Sequence, residues 1–438
     1  MTILIAGGGI GGISAALALA QKGFQVRVLE RAPEFGEIGY GIQLGPNAFH
    51  TLERLGVREF LESTAFFPNN LVMQDAVSGK EVSRIHLRGA FLKQYGRPYA
   101  VIHRSDLHGA LLEGCRARSD LVSLEVNSGL KSFREEGDRV FATLEDGREI
   151  EGDLLICADG LRSAGRQQII GDGEPRVSGH IARRGVVPMA QVTDTRFVDD
   201  MVIWVGPNLH LVQYRLRGGT VLNNVCVIES EEYKQGKADW GGIDEVQRIF
   251  EGMVPYVQDA LKFISPERAW AMCDRDPHSG WTRGKVTLLG DAAHPTLQYL
   301  AQGACMAMED GVVLAAKLSQ RERPVGESLQ LYESERYLRA ARITLTSLLR
   351  PCVSRRWRRA RLAQSSGEPA RQRIFLRGGL DLSRNRSQRL NHRVRSSRRT
   401  GYCVRLRSAS SRPAQSPAAA HRQAGAQTGR PSPPRRSD

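Results

Sequence analysis

ILIAGGGIGGISAALALAQKGFQVRVLE, residues 3–30, decides the fold. Its first four residues are an apolar run of buried-strand type, followed at once by GGGIGG at 7–12. ISAALALAQKG then reads as an Ala/Leu-rich helix stopped at Gly23, and FQVRVLE as a second strand closing on Glu30. Gly7, Gly9 and Gly12 occupy the positions of a G-x-G-x-x-G turn between strand and helix. The first glycine allows the tight turn, the second lets backbone approach a pyrophosphate, and the third lets helix and strand pack closely. The helix N-terminus then faces phosphate charge. Glu30 lies 23 residues after Gly7, close to the roughly 20 expected of a carboxylate that accepts from ribose hydroxyls.

The rest of the chain bounds the possibilities. Its 438 residues suit two domains or one large composite. No apolar run approaches the roughly 18 residues of a membrane helix, and the chain enters a strand directly, so neither a membrane span nor a signal peptide is expected. Seven scattered cysteines without a C-x-x-C pair fit reduced thiols in the cytoplasm and offer no metal site. The net charge of +15 is unevenly placed: residues 351–438 hold 22 Arg, no Lys and three acids, whereas residues 1–350 carry a net −4. An Arg-rich arm could bind nucleic acid, but basic arms usually mix Lys with Arg. High-GC DNA read out of frame also yields Arg-, Ala-, Ser- and Pro-rich protein. One permitted codon choice from residue 348 onward, read one nucleotide later, gives FFGRVYHADGVARDLRN, an amphipathic segment. A one-base frameshift near residue 348 is therefore the expectation, with a real basic arm or an ordinary disordered tail as the alternatives, and no nucleic-acid partner is expected. An intact frame through codon 348 in independent clones would overturn it.

Along the body, residues 33–47 read as a Gly/Pro-rich loop and 48–55 as a helix ending at Gly56. Residues 70–76 and 80–87 read as paired strands, and a helix starts near His103-Arg104, capped by Ser105 or Asp106. Arg104 could reach a phosphate or ribityl chain, or form an ion pair. Residues 121–156 look like a β-meander with a hairpin turn at Asp146-Gly147. Its last strand, apolar throughout, delivers Asp159-Gly160 to its C-terminal end, where doubly wound sheets gather ligands. Ser163 and Arg166 stand just beyond, placed to cap or clamp. Strands at 201–205, 209–216 and 221–228 look like a separate antiparallel sheet. Alternation puts His210, Val212 and Tyr214 on one face; taken alone, such a histidine is more often structural than catalytic. A further buried strand at 286–289 delivers Asp291, and a helix over 304–319 follows the turn Gln302-Gly303, its positive end available to an anion.

The glycine turn with Glu30, the Asp159-Gly160 segment and the Gly290-Asp291 segment, in this order, resemble the three signatures of the class A FAD-dependent aromatic hydroxylases. The resemblance covers residues 1–347, and the frame-shifted peptide is similar to that family's C-terminal region. It implies an α/β fold: a Rossmann-like FAD-binding domain of glutathione-reductase type (1–175 and 276–347) with an inserted, mainly antiparallel β-sheet substrate domain (176–275). Residues 70–105 would contribute to the substrate region, and 348–438 would be the Arg-rich tail. By the same resemblance Gly7, Gly9, Gly11 and Gly12 would hold the FAD pyrophosphate and Glu30 the adenosine ribose, with Arg31 beside it. Arg104, Asp159, Asp291 and Gly303 would complete the cofactor site. His210 would act as base, with Tyr214 and Gln298 around the substrate. The implied reaction uses NADH or NADPH and O2, through a flavin C4a-hydroperoxide, to hydroxylate a small aromatic acid. HLVQY at 210–214 and GDAAHPTLQYLAQGACMAMED at 290–310 resemble the members of that family that attack 3-hydroxybenzoate, and this resemblance implies hydroxylation at C6, giving gentisate. Attack on salicylate or another hydroxy-aromatic acid, or an inactive flavoprotein, is the alternative, and a homodimer is compatible. Three departures from the family pattern stand out: Cys157 and Ala301 where glycine is frequent, and Arg215 where proline is common near the substrate strand.

Overall fold

The computed structural model describes residues 1–36, 39–237 and 240–348; the expected tail lies outside them. Strand Thr2–Ala6, helix Ile10–Ala20 and strand Gln25–Leu29 form the opening unit, the two strands pairing in parallel. They belong to a six-stranded sheet in the order 282–283, 286–288, 154–157, 2–6, 25–29, 122–125. Its pairs are parallel except the edge, where Thr282–Arg283 runs antiparallel to Val286–Leu288. Thr2–Ala6 and Leu154–Cys157 are apolar almost throughout because a central parallel strand is covered on both faces. On one face Ile10–Ala20 packs against Gly303–Leu318. Gly311 permits that approach, since a Cβ there would sit 2.8 Å from the Ala15 backbone.

The expected meander over 121–156 divides. Leu130–Glu136, Arg139–Leu144 and Glu149–Gly152 form a three-stranded antiparallel sheet, while Val122–Glu125 and Leu154–Cys157 join the parallel sheet. All four residues of Leu154–Cys157 are buried, which a one-sided meander strand would not allow. Val122–Glu125 is drawn to the sheet edge beside Gln25–Leu29, where Arg27 and Glu125 form a two-pronged ion pair of 2.7 and 2.9 Å.

The second large sheet has seven strands in the order 269–274, 176–188, 221–229, 209–216, 201–206, 70–75, 81–86. Neighbours are antiparallel except Met201–Gly206 with Asn70–Asp75. One face is closed by helices Ile243–Phe250 and Pro255–Ala260 through Trp204, Leu211, Val246 and Phe250. The other face carries Val212, Tyr214, Val225 and Val227 and packs against Leu297 and Tyr299. Arg215 leaves the strand intact: it pairs with Asp199 and lies 4.6 Å over the Phe66 ring.

Two local expectations are corrected. Within the expected loop 33–47, Gly41–Leu44 is a strand paired antiparallel with Ala100–His103, and the next helix begins at Pro46. A distant strand supplied the ladder that local composition argued against. Helix Arg104–Arg116 is capped at His103 without a side-chain cap bond; Ser105 Oγ bonds His103 Nδ1 at 2.6 Å instead of the helix amides.

Ala301 ends the turn Gln298–Leu300 with φ 51° and ψ 38°, the left-handed region. A side chain there costs about 1 kcal/mol or more, whereas glycine costs more entropy on ordering. Ala301→Gly is expected to stabilise the protein by about 0.5 kcal/mol, read as a higher urea midpoint at unchanged slope. A lower midpoint would show that the methyl group's contacts outweigh the strain.

Candidate cofactor and substrate site

At the first strand end the chain is tied so tightly that only glycine fits. A Cβ on Gly7 (φ +104°) would lie 2.3 Å from the Ala158 carbonyl oxygen, and one on Gly12 would lie 1.9 Å from that of Gly7. Gly11 is nearly as crowded, its Cβ meeting Leu289 at 3.0 Å. Helix Ile10–Ala20 starts on Gly9 with no side-chain cap and no acid in its first turn, so its leading amides are left to an external anion. Side chains hold both polar groups of Gly8. Glu30 accepts from Gly8 N at 2.6 Å and from Ala32 N at 2.8 Å, while buried His108 bonds the Gly8 carbonyl at 2.7 Å. Glu30 keeps lone pairs free for ribose hydroxyls after those two bonds. Arg31, next along, is exposed. This cradle of close backbone, bare helix amides and an acid at the next strand end fits a dinucleotide such as FAD.

The other two strand ends lie beside it. Asp159 follows Leu154–Cys157 and accepts from Ser163 Oγ at 2.5 Å and Gly165 N at 3.3 Å, so it braces helix Ala164–Ile169 while Ser163 caps it. Burial pushes the Asp159 carboxyl up, against those hydrogen bonds. Asp291 sits exposed in the turn Gly290–Ala292, and a Cβ on Gly303, at the start of helix Gly303–Leu318, would lie 3.9 Å from its Oδ1. Acid and helix start thus adjoin.

The Asp291 turn is clamped from two sides. Fully buried Arg166 donates to the Ala292 and Ala293 carbonyls at 3.0 and 2.7 Å and is neutralised by Asp172 at 2.8 Å. Fully buried Asp310 accepts from Gly290 N at 3.1 Å, bonds His294 Nε2 at 2.5 Å and pairs with Arg336 at 2.6 Å. Burial opposes ionisation of Asp310, but His294 and Arg336 outweigh it and hold the carboxyl below its usual range. Adjacent Glu309 binds Arg336, Arg339 and Asn47, and Asn47 also donates to Gln302 at 2.9 Å.

On the second sheet, His210 is half-buried and borders a cavity of about 510 Å³ lined also by His180, Val227, Glu229, Leu297 and Tyr299. The Tyr299 ring stands 5.5 Å from that of His210, and its hydroxyl bonds His180 Nδ1. Burial pushes the His210 pKa down to about 4, so the imidazole is neutral at physiological pH and can accept a proton. Tyr214 lies outside the cavity. It is four residues along the same strand, about 13 Å away at 3.3 Å per residue, with its ring filling the space above Gly41. Burial pushes its hydroxyl up to about 12. Gln298 also stands outside, accepting from Arg184 Nη2 at 3.0 Å. Arg104 begins its helix with its amide bonded to the Tyr40 carbonyl at 2.8 Å.

The chain belongs to the FAD binding domain family, whose model matches residues 1–347. It is 45% identical over 347 residues to the 3-hydroxybenzoate 6-hydroxylase of Polaromonas naphthalenivorans, covering 79% of this chain and 86% of that one. To 3-hydroxybenzoate 6-hydroxylase 1 of Aquipseudomonas alcaligenes the identity is 44% over 341 residues, covering 78% and 86%. Among solved structures, Klebsiella pneumoniae HpxO complexed with FAD and uric acid matches with a TM-score of 0.70 at 28% identity, covering 79% of this chain and 87% of HpxO.

Several residues that build the site carried little sequence signal. His108, Asp310 and Arg336 act across 100, 20 and 26 residues respectively. Only Arg166, standing beside a strand-end acid, gave a positional cue.

Proposed function

We propose that this chain is a flavin-dependent monooxygenase that hydroxylates 3-hydroxybenzoate at C6, para to the hydroxyl, giving gentisate with NADH or NADPH and O2 as co-substrates. The observation that carries the reading is His210: a neutral imidazole bordering a cavity on the second sheet, beside Val227, Leu297 and Tyr299. The names of its relatives support the substrate. When bound, FAD supplies what no side chain can, an electrophilic oxygen derived from O2. The cofactor residues would be Gly7, Gly9, Gly11, Gly12, Glu30, Arg31, Arg104, Asp159, Asp291 and Gly303. His210 would take the phenolic proton as the ring is attacked, pushing electron density toward the para carbon. A free phenol near pKa 10 holds its proton against so weak a base, so transfer accompanies C–O bond formation, when the phenol turns strongly acidic. Gln298 would bond the phenolic oxygen and Tyr214 would wall the site.

In this reading 1–175 and 276–347 form the FAD-binding part and 176–275 the substrate part, joined by strands from 70–105. The family match stops where the Arg-rich composition begins, which supports a frameshifted tail. No described helix is long and apolar enough to cross a membrane, and the described cysteines are unpaired; both suit a cytoplasmic enzyme, with a homodimer compatible. Anaerobic reduction of the FAD-loaded chain by NADH is expected to quicken on adding 3-hydroxybenzoate, and aerobic turnover to yield gentisate. Catechol from salicylate would favour the 1-hydroxylase alternative. Reduction indifferent to every hydroxybenzoate would sink the proposal.

A further inference from the structure

Among the described residues the His210 ring makes no hydrogen bond, and its aromatic contact is the Tyr299 ring, 5.5 Å away and tilted by 55°. An imidazole held by packing alone can turn about its last torsion, and a base turned off its line loses much of its rate. Whatever fixes Tyr299 therefore bears on the reaction. Its hydroxyl bonds His180 Nδ1, and the two rings meet edge to face at 6.1 Å and 82°. His180 itself is buried.

An irregularity of its strand aims His180 there. Between the pairs Val177–Cys273 and Ile181–Ala271, strand Arg176–Pro188 advances four residues while Ala269–Asp274 advances two. Gly179 takes up the excess at φ +74°, in the left-handed region that glycine adopts without strain. Its carbonyl accepts from Ser230 N at 3.0 Å, and Ser178 Oγ accepts from His180 N at 3.1 Å. Bulges of this kind re-aim side chains beside active sites. Beyond it His180 pairs with Glu229, and His210 pairs with Val227, two residues back on the same strand. Both imidazoles therefore project on one face, and both line the same cavity. Glu229 Oε2 stands 3.9 Å from His180 Nε2, and Lys234 holds that carboxylate at 2.6 Å. A carboxylate on that side favours the tautomer with its proton on Nε2, which leaves Nδ1 to accept from the Tyr299 hydroxyl.

Building on the hydroxybenzoate reading, we propose that His180 is a positioning residue of the reaction: by anchoring Tyr299 it holds the His210 imidazole in the orientation that takes the phenolic proton. The role needs a hydrogen-bond acceptor where Nδ1 stands, and no proton transfer by His180 itself.

The test uses the full FAD-loaded chain. His180→Val removes the acceptor, and Tyr299→Phe keeps the ring but not its anchor. Each is expected to lower kcat about 10-fold, with the dissociation constant for 3-hydroxybenzoate within about 3-fold of wild type and FAD content unchanged. His180→Asn sets an amide oxygen near the place of Nδ1 and cannot take a proton, so it should recover most of the loss. In a His210→Gln background both effects should vanish, because the residue they act through is gone. In NMR spectra of histidine-labelled protein the His210 signal, identified by its loss in His210→Gln, should move in His180→Val and Tyr299→Phe and stay in place in His180→Asn. An equal fall for His180→Asn and His180→Val would overturn the proposal in favour of proton transfer by His180. Losses that persist undiminished without His210 would overturn it in favour of a general packing role. The expected NMR pattern in a wild type that forms no gentisate would uphold the contact while sinking the assigned reaction.

Discussion

Substituting His210 by glutamine is expected to lower hydroxylation about 100-fold or more, with FAD per chain unchanged. The imidazole stands on the second sheet, away from the strand ends that cradle the cofactor, so its loss should not disturb loading. Glutamine can fill the space and form a hydrogen bond, but it cannot take a proton. The pH dependence has a definite sign. With its pKa near 4 in the folded protein, His210 is the competent neutral base throughout the neutral range, and its activity falls only as pH drops toward 4. Because the folded pKa lies below the ordinary 6.5, the unfolded chain binds the extra proton between those values. This residue's contribution to stability is therefore complete above the unfolded pKa and lost as pH falls through the interval. Turnover by His210→Gln equal to wild type across the neutral range would remove the residue from the mechanism.

Much of the fold was legible because its signals are local. The glycine turn, its helix and Glu30 lie within thirty residues, and period-2 alternation placed His210 and Tyr214 on one face of Leu209–Leu216. Alternation does not say what stands opposite, or how far along a strand one pocket extends. That is why Tyr214 proves to face Gly41 while His210 faces Tyr299. Gly41–Leu44 became a strand only because Ala100–His103 pairs with it, and Val122–Glu125 left its neighbours for Gln25–Leu29. Pairings made over many residues leave no period in either partner. Buried charge was the least legible. Arg166 reaches across 126 residues to the Ala292 carbonyl, and nothing local distinguishes Arg184, half-buried without an acid, from Arg183 beside it.

Removing the Asp310 carboxylate is expected to cost about 3–5 kcal/mol, because one member of a buried ion cluster is lost and its partners stay buried. Asp310→Ala would strand Arg336 with Glu309 alone, and would free His294 and the Gly290 amide, which Asp310 holds at 2.5 and 3.1 Å. The damage should reach the cofactor, since those groups form the turn that carries Asp291. A lower midpoint in urea should therefore come with weaker FAD retention at temperatures where the chain is still folded. Acid should act in the same direction. The folded carboxyl lies below its usual range, so its contribution is present above the unfolded pKa near 3.9 and is lost as pH falls through the folded value. Destabilisation with normal FAD affinity in the folded protein would show that Arg166 alone holds the turn. Pairing Asp310→Leu with Arg336→Met separates charge from packing: if stranded charge dominates, the double variant should recover much of the loss. Arg336 comes from Val325–Leu348 and its partners from Gly303–Leu318, so the cluster makes the last described helix part of the cofactor site's support. Any change that uncouples that helix should first appear as loss of FAD.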